Sequence, residues 1–100
     1  MDRLQSMRVF QQVVEQGGFS AAARKLDLAP TAVTRLVSNL EEHLGVRLLH
    51  RTTRRLSVTP AGEVYLQRLR AILSDISDAE IEVKTEAHAI DGVVRVLAPS

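Results

Sequence analysis

A mainly α fold is predicted, with three short helices, a small two-stranded hairpin and one long terminal helix. Three features of the sequence predict it. Apolar residues recur at helical spacing in three segments that end at Gly17-Gly18, Asp27 and Gly45. Two short β-like runs then flank a cluster of Thr and Arg between Arg51 and Arg55. From Pro60 onward, Tyr65, Leu69, Ile72, Ile76, Ala79 and Val83 step by alternating fours and threes, the spacing of a heptad seam.

The first helix spans residues 2–16. Asp2 is placed to cap it, and Leu4, Met7, Phe10, Val13 and Val14 form its apolar stripe. After the two glycines, Ser20 is expected to cap a second helix, "AAARKL", whose three alanines allow a neighbouring backbone to come close. The third helix begins at Pro30, where a missing N–H costs nothing, and ends at Gly45. Val33, Leu36, Val37, Leu40 and Leu44 line one face, while Thr31, Arg35, Ser38 and Glu42 fall opposite, with Thr34 beside them. Helix, short turn, helix is the order of a helix-turn-helix.

The run "VRLLHRTTRRLSVT" reads as a hairpin, with residues 47–50 and 56–58 as strands and a basic tip between them. Two strands are not stable alone, so the hairpin must lean on the helices. Together these elements make a winged helix-turn-helix over residues 1–59. Thr59-Pro60 opens the last helix, which is expected to run to about residue 89, roughly 45 Å at 1.5 Å per residue. Its narrow seam asks for a partner helix, most simply one from a second copy of the chain. Residues 90–100, with Val93, Val94, Val96 and Leu97, read as the first strand of a following domain.

The composition, 45% apolar and 25% charged, is that of a folded soluble domain. Cysteine is absent, which excludes disulfides and thiolate metal sites and fits a reducing cytoplasm. No apolar run has the length of a membrane span, and the N-terminus lacks the apolar core of a signal peptide. His43, His50 and His88 show no metal-ligand spacing to one another or to a carboxylate pair, so neither catalysis, nor a metal, nor a cofactor is expected.

The net charge of +1 conceals a polarity. Residues 24–55 carry seven Arg and Lys against three acids, and residues 56–91 carry three against seven. A basic half of this kind suits a polyanion. The third helix has the side chains a major groove requires. Short hydroxyls (Thr31, Thr34, Ser38) can donate or accept at base edges, Arg35 can fork onto guanine, and Glu41 and Glu42 come last, away from phosphates. The arginines of the hairpin tip can reach a neighbouring phosphate run or a narrow minor groove. A dimerisation module without DNA binding would explain the long helix, but not the hydroxyl face or the basic tip.

The order and spacing of "MRVFQQVVEQGGFSAAARKL", "LAPTAVTRLVSNLEEHLGVRLLHRTTRRLSVTPAGEVYL" and "GVVRVLAP" resemble the N-terminal part of LysR-type transcriptional regulators over nearly the whole chain. The resemblance implies a winged DNA-binding head, a linker helix that dimerises, and usually a tetramer. It also implies a separate domain for a small-molecule effector, beginning at "GVVRVLAP", so that this chain corresponds to a regulator truncated before that domain. Phosphate contacts would fall on Ser20 and Ala21, base-reading positions on Pro30, Thr31, Thr34 and Arg35 with Ser38 nearby, and wing contacts on Thr52, Thr53, Arg54 and Arg55. The family often has Ser where this chain has Ala29, which cannot cap the third helix. A two-fold dimer implies an inverted-repeat operator. A winged head from another regulator family is the alternative, against which the "GVVRVLAP" tail argues.

Overall fold

The computed structural model describes residues 2–52 and 55–97. The elements run α1 (Arg3–Gln16), α2 (Phe19–Leu26), α3 (Pro30–Leu44), β1 (Leu49–Arg51), β2 (Leu56–Val58) and α4 (Pro60–Leu97). Two compact units are present, residues 1–70 and 71–100.

In the first unit, α1, α2 and α3 pack on one another around a largely aliphatic core that includes Val9, Val13, Ala22, Ala23, Val33, Val37 and Leu40, with the aromatic Phe10 among them. Asp2 caps α1 through a hydrogen bond from the Gln5 amide (3.1 Å), and Gly17 ends it in the left-handed region at φ 81°. Ala22 and Ala23 are fully buried, as expected of a helix that meets its neighbours closely. Leu4, assigned above to the α1 stripe, is instead exposed, and Val9 takes its place in the core.

Ser20 does not cap α2. The helix starts one residue earlier, at Phe19, with Gly18 at the cap position and no side-chain cap. The earlier start places the Phe19 ring against the core, so burial of an aromatic outweighs a hydroxyl cap. Asp27 ends α2 with φ 56°, a left-handed conformation that Asp tolerates. Pro30 opens α3 and Gly45 closes it at φ 72°. Ala29 provides no side-chain cap.

β1 and β2 are antiparallel, with Leu49 opposite Val58, His50 opposite Ser57 and Arg51 opposite Leu56. The first strand is therefore 49–51, later than the expected 47–50. The Leu48 and Leu49 amides are held by the Glu41 carboxylate, and pairing with β2 begins only where that anchor ends. Leu48 and Leu49 are both fully buried and fasten the hairpin to the core.

Thr59 joins hairpin to helix. Its amide donates to the Leu48 carbonyl (3.0 Å), its hydroxyl donates to the Arg47 carbonyl (2.6 Å), and the same oxygen caps α4 by accepting from the Gly62 amide (2.9 Å). The opening turns of α4 belong to the head, not to a separate linker starting at residue 60. Leu66 and Leu69 are buried in the head core, and the Tyr65 ring lies 6.0 Å from Phe10. Burial raises the Tyr65 phenol above its ordinary pKa, with Arg3 acting in the opposite sense.

In the second unit, residues 71–97 form one uninterrupted helical segment. The strand expected from Val93, Val94, Val96 and Leu97 is instead helix. The helix that opens at Pro60 continues through this β-branched run, whose residues have lower helix propensity but are tolerated in a helix. Ile72, Ala79, Ile81 and Val83 are exposed, and Ile76 is half-buried. Among the described residues, no helix is long and apolar enough to cross a membrane.

Gly62 sits where β1, β2 and α4 meet. A methyl group there would run into the Leu48 carbonyl oxygen and lie 2.7 Å from Val58 Cγ1. Gly62→Ala is therefore expected to destabilise the head by about 1–3 kcal/mol, despite the better helix propensity of alanine. Urea unfolding checks this, and an unchanged or raised midpoint contradicts it.

Candidate nucleic-acid interface

α3 supplies one half of the site. Pro30, Thr31, Thr34 and Arg35 are all exposed on it. The Thr34 hydroxyl donates to the Pro30 carbonyl one turn back (3.1 Å), which fixes its rotamer while leaving the oxygen free to accept. Ser38, one turn further along, is half-buried and accepts from Arg51 Nη1 (3.4 Å). It is therefore shared with the wing and is less open than Thr31 or Arg35.

The wing supplies the other half. Thr52 and Arg55 are exposed and tied to each other: the Thr52 amide donates to the Arg55 carbonyl (3.1 Å), and the Arg55 amide donates to the Thr52 hydroxyl (2.9 Å). Thr53 and Arg54 lie outside the described residues. A shallow depression lined by Phe19, Thr34, Arg51, Thr52, Arg55 and Leu56 brings the α3 face and the wing together. At the start of α2, Ser20 is exposed and Ala21 half-buried. The first helical bond there runs from the Ala22 amide to the Gly18 carbonyl (3.1 Å), so the Phe19, Ser20 and Ala21 amides precede the ladder.

Sequence reasoning missed Glu41. Helical periodicity places it between the apolar and polar faces, which suggests an acid kept at a distance from phosphates. In the structure it is buried at 6% exposure. Oε2 accepts from the Leu48 (2.8 Å) and Leu49 (3.2 Å) amides, and Oε1 accepts from Arg51 Nη2 (2.7 Å). Arg47 lies 3.8 Å from the same oxygen but is largely exposed, so it adds little. Arg51 belongs to the basic tip by sequence, yet its charge is matched by Glu41. An acid in the last turn of a helix, followed within ten residues by an Arg at the end of a strand, is the signal that could have found this pair.

The structure also divides the proposed seam. Leu69 is fully buried in the head's own core and cannot meet a partner helix, and Tyr65 is half-buried beside Phe10. Ile72, Ile76, Ala79 and Val83 are in the second unit and are exposed or half-buried there.

The family model described as the bacterial regulatory helix-turn-helix protein, lysR family, matches residues 4–63. The chain belongs to the LysR family. It is a LysR-type winged helix-turn-helix DNA-binding domain with a long C-terminal helix. It is 48% identical over 92 residues, 92% of its length, to the HTH-type transcriptional regulator CrgA of Neisseria meningitidis serogroup C (strain 8013), and it spans 31% of that relative. It is 38% identical over 96 residues, 96% of its length, to the HTH-type transcriptional activator AaeR of Escherichia coli K12, again spanning 31% of the relative. The chain thus covers about a third of the curated regulators it matches. Among solved structures, it resembles the BenM DNA-binding domain in complex with catB site 1 DNA, with a TM-score of 0.82 and 37% identity over 87% of this chain and 96% of that one.

Proposed function

We propose that this chain reads double-stranded DNA as a homodimer, with the N-terminal end of α3 in the major groove and the wing on the adjacent backbone or minor groove. The observation that carries this is the gathering of Thr34 from α3 with Thr52 and Arg55 from the wing around one exposed depression, while the Glu41 carboxylate points inward to the wing backbone. Arg35 forks onto a base edge, preferentially guanine, and Thr31 and Thr34 offer oxygen acceptors and methyl groups to neighbouring bases. Ser20 and the free amides at the start of α2 hold a phosphate. Arg55, with Thr52, Thr53 and Arg54, extends those phosphate contacts across the wing. The BenM and CbnR DNA-binding domains, which this chain resembles, are known in complex with DNA, and the same mode of binding is proposed here.

The dimer forms through the second unit, where Ile72, Ile76, Ala79 and Val83 present a stripe to the same stripe of a second copy. A two-fold pair of heads selects an inverted repeat. In a full-length regulator this arrangement extends to a tetramer, with a small-molecule effector bound by a further domain. The protein works in the cytoplasm and carries no catalytic reaction of its own.

Selection of binding sites from random duplex DNA tests the whole proposal, and enrichment of an inverted repeat is expected. On the selected site, Arg35→Ala should cost about 1–3 kcal/mol and relax preference at one base pair per half-site. Ser38→Ala should relax it less. The reverse order, measured by titration against single-base variants, would mean that α3 enters by its middle. Failure of the chain to retain any duplex at low salt would leave a dimerisation module as the better reading.

Asp at both Ile72 and Ile76 would place unpaired charges within the seam, a heavy desolvation cost. Sedimentation should then show monomer where the parent chain shows dimer. A double variant still dimeric at micromolar concentration would contradict the seam.

A further inference from the structure

Arg51 ends β1, immediately before the tip of the wing, and its guanidinium touches three side chains on two helices of the head. Nη2 donates to Glu41 Oε1 in the last turn of α3 at 2.7 Å. Nη1 donates to Ser38 Oγ, one turn earlier on the same helix, at 3.4 Å. The guanidinium carbon lies 5.1 Å from the centroid of the Phe19 ring at the start of α2, a cation–π distance. With these contacts the side chain is only 28% exposed. Its charge faces a buried carboxylate, so it contributes little to the positive field offered to DNA.

The next residue, Thr52, is bonded to Arg55, and both line the same depression as Thr34. Holding Arg51 therefore holds the described ends of the wing tip at a fixed place relative to the base-reading face of α3. Phosphate contacts set the register in which a reading helix meets its bases. A wing at a fixed spacing from α3 sets that register, and a wing free to shift loses it.

We propose that Arg51 is a positioning residue for DNA specificity rather than a DNA contact: by bridging Glu41, Ser38 and Phe19 it fixes the spacing between wing and recognition helix. This rests on the reading of the chain as a DNA-binding head. It sets Arg51 apart from Arg55, the neighbouring arginine whose exposed side chain supplies charge to the phosphates. A planar fork is required, because a lysine ammonium cannot donate to Glu41 and Ser38 while also stacking on Phe19.

The test is a binding titration on the selected site and on a scrambled duplex, with Arg51→Lys, Arg55→Ala and the two combined. Arg51→Lys keeps the charge, so a simple phosphate contact would survive it. Positioning instead predicts a loss of roughly tenfold on the selected site with a smaller loss on the scrambled duplex. It also predicts that Arg55→Ala costs less in the Arg51→Lys background than in the parent, because a misplaced wing has less to lose. Full affinity in Arg51→Lys, or losses that simply multiply in the combined variant, would overturn the proposal. Thermal melting reports whether Arg51→Lys remains folded. Should it unfold, Phe19→Leu, which removes the stacking face and leaves the ion pair, takes its place in the same cycle: coupling to Arg55→Ala supports positioning and additivity overturns it. A parent chain that binds neither duplex would instead remove the DNA-binding reading, and the inference with it.

Discussion

The Glu41 carboxylate accepts from two successive amides, Leu48 and Leu49, and from the Arg51 guanidinium, and it does so almost entirely out of water. Burying a carboxylate is costly unless charge and hydrogen bonds compensate it. Here one oxygen is satisfied by backbone and the other by a cation, both from the same β-hairpin. A two-stranded hairpin has little stability of its own. The wing of this head therefore exists in one place because α3 holds it there. Loss of the Arg51 cation would leave the buried Glu41 carboxylate without its close counter-charge, a change that in buried pairs typically costs about 3–5 kcal/mol.

The far side of the hairpin is fastened with equal economy. Thr59 binds two carbonyls of the strand side while capping α4, and Gly62 leaves room for the Leu48 carbonyl against the first turn of that helix. Leu48 is thus gripped from both directions, its amide by α3 and its carbonyl by Thr59. The head core extends through Leu66 and Leu69, so the helix that continues into the second unit is rooted in the same aliphatic cluster as α1 and α3.

Most elements were legible because each rests on local chemistry. Asp2, Gly17, Pro30, Gly45 and Thr59-Pro60 mark helix ends whose rules need no tertiary information. The exposure of Thr31, Thr34 and Arg35 follows from 100° spacing alone. What escaped was set by contacts distant in sequence. The start of α2 depends on where Phe19 packs, and Glu41 and Arg51 meet only once the hairpin folds back. Leu69 fits a heptad seam as well as it fits a core, and periodicity cannot say which neighbour it has. The tail around Val93 has strand-forming residues, yet it continues the helix that precedes it.

The most direct measurement is amide hydrogen exchange at Leu48 and Leu49 in the parent chain and in Glu41→Gln, which keeps the size of the side chain and removes its charge. Both amides are expected to exchange at least about tenfold faster in the variant, a change of 1.4 kcal/mol or more in local opening, while Val13 and Val37 in the helical core change far less. Unchanged protection at Leu48 and Leu49 would contradict the claim that this carboxylate holds the wing to the recognition helix.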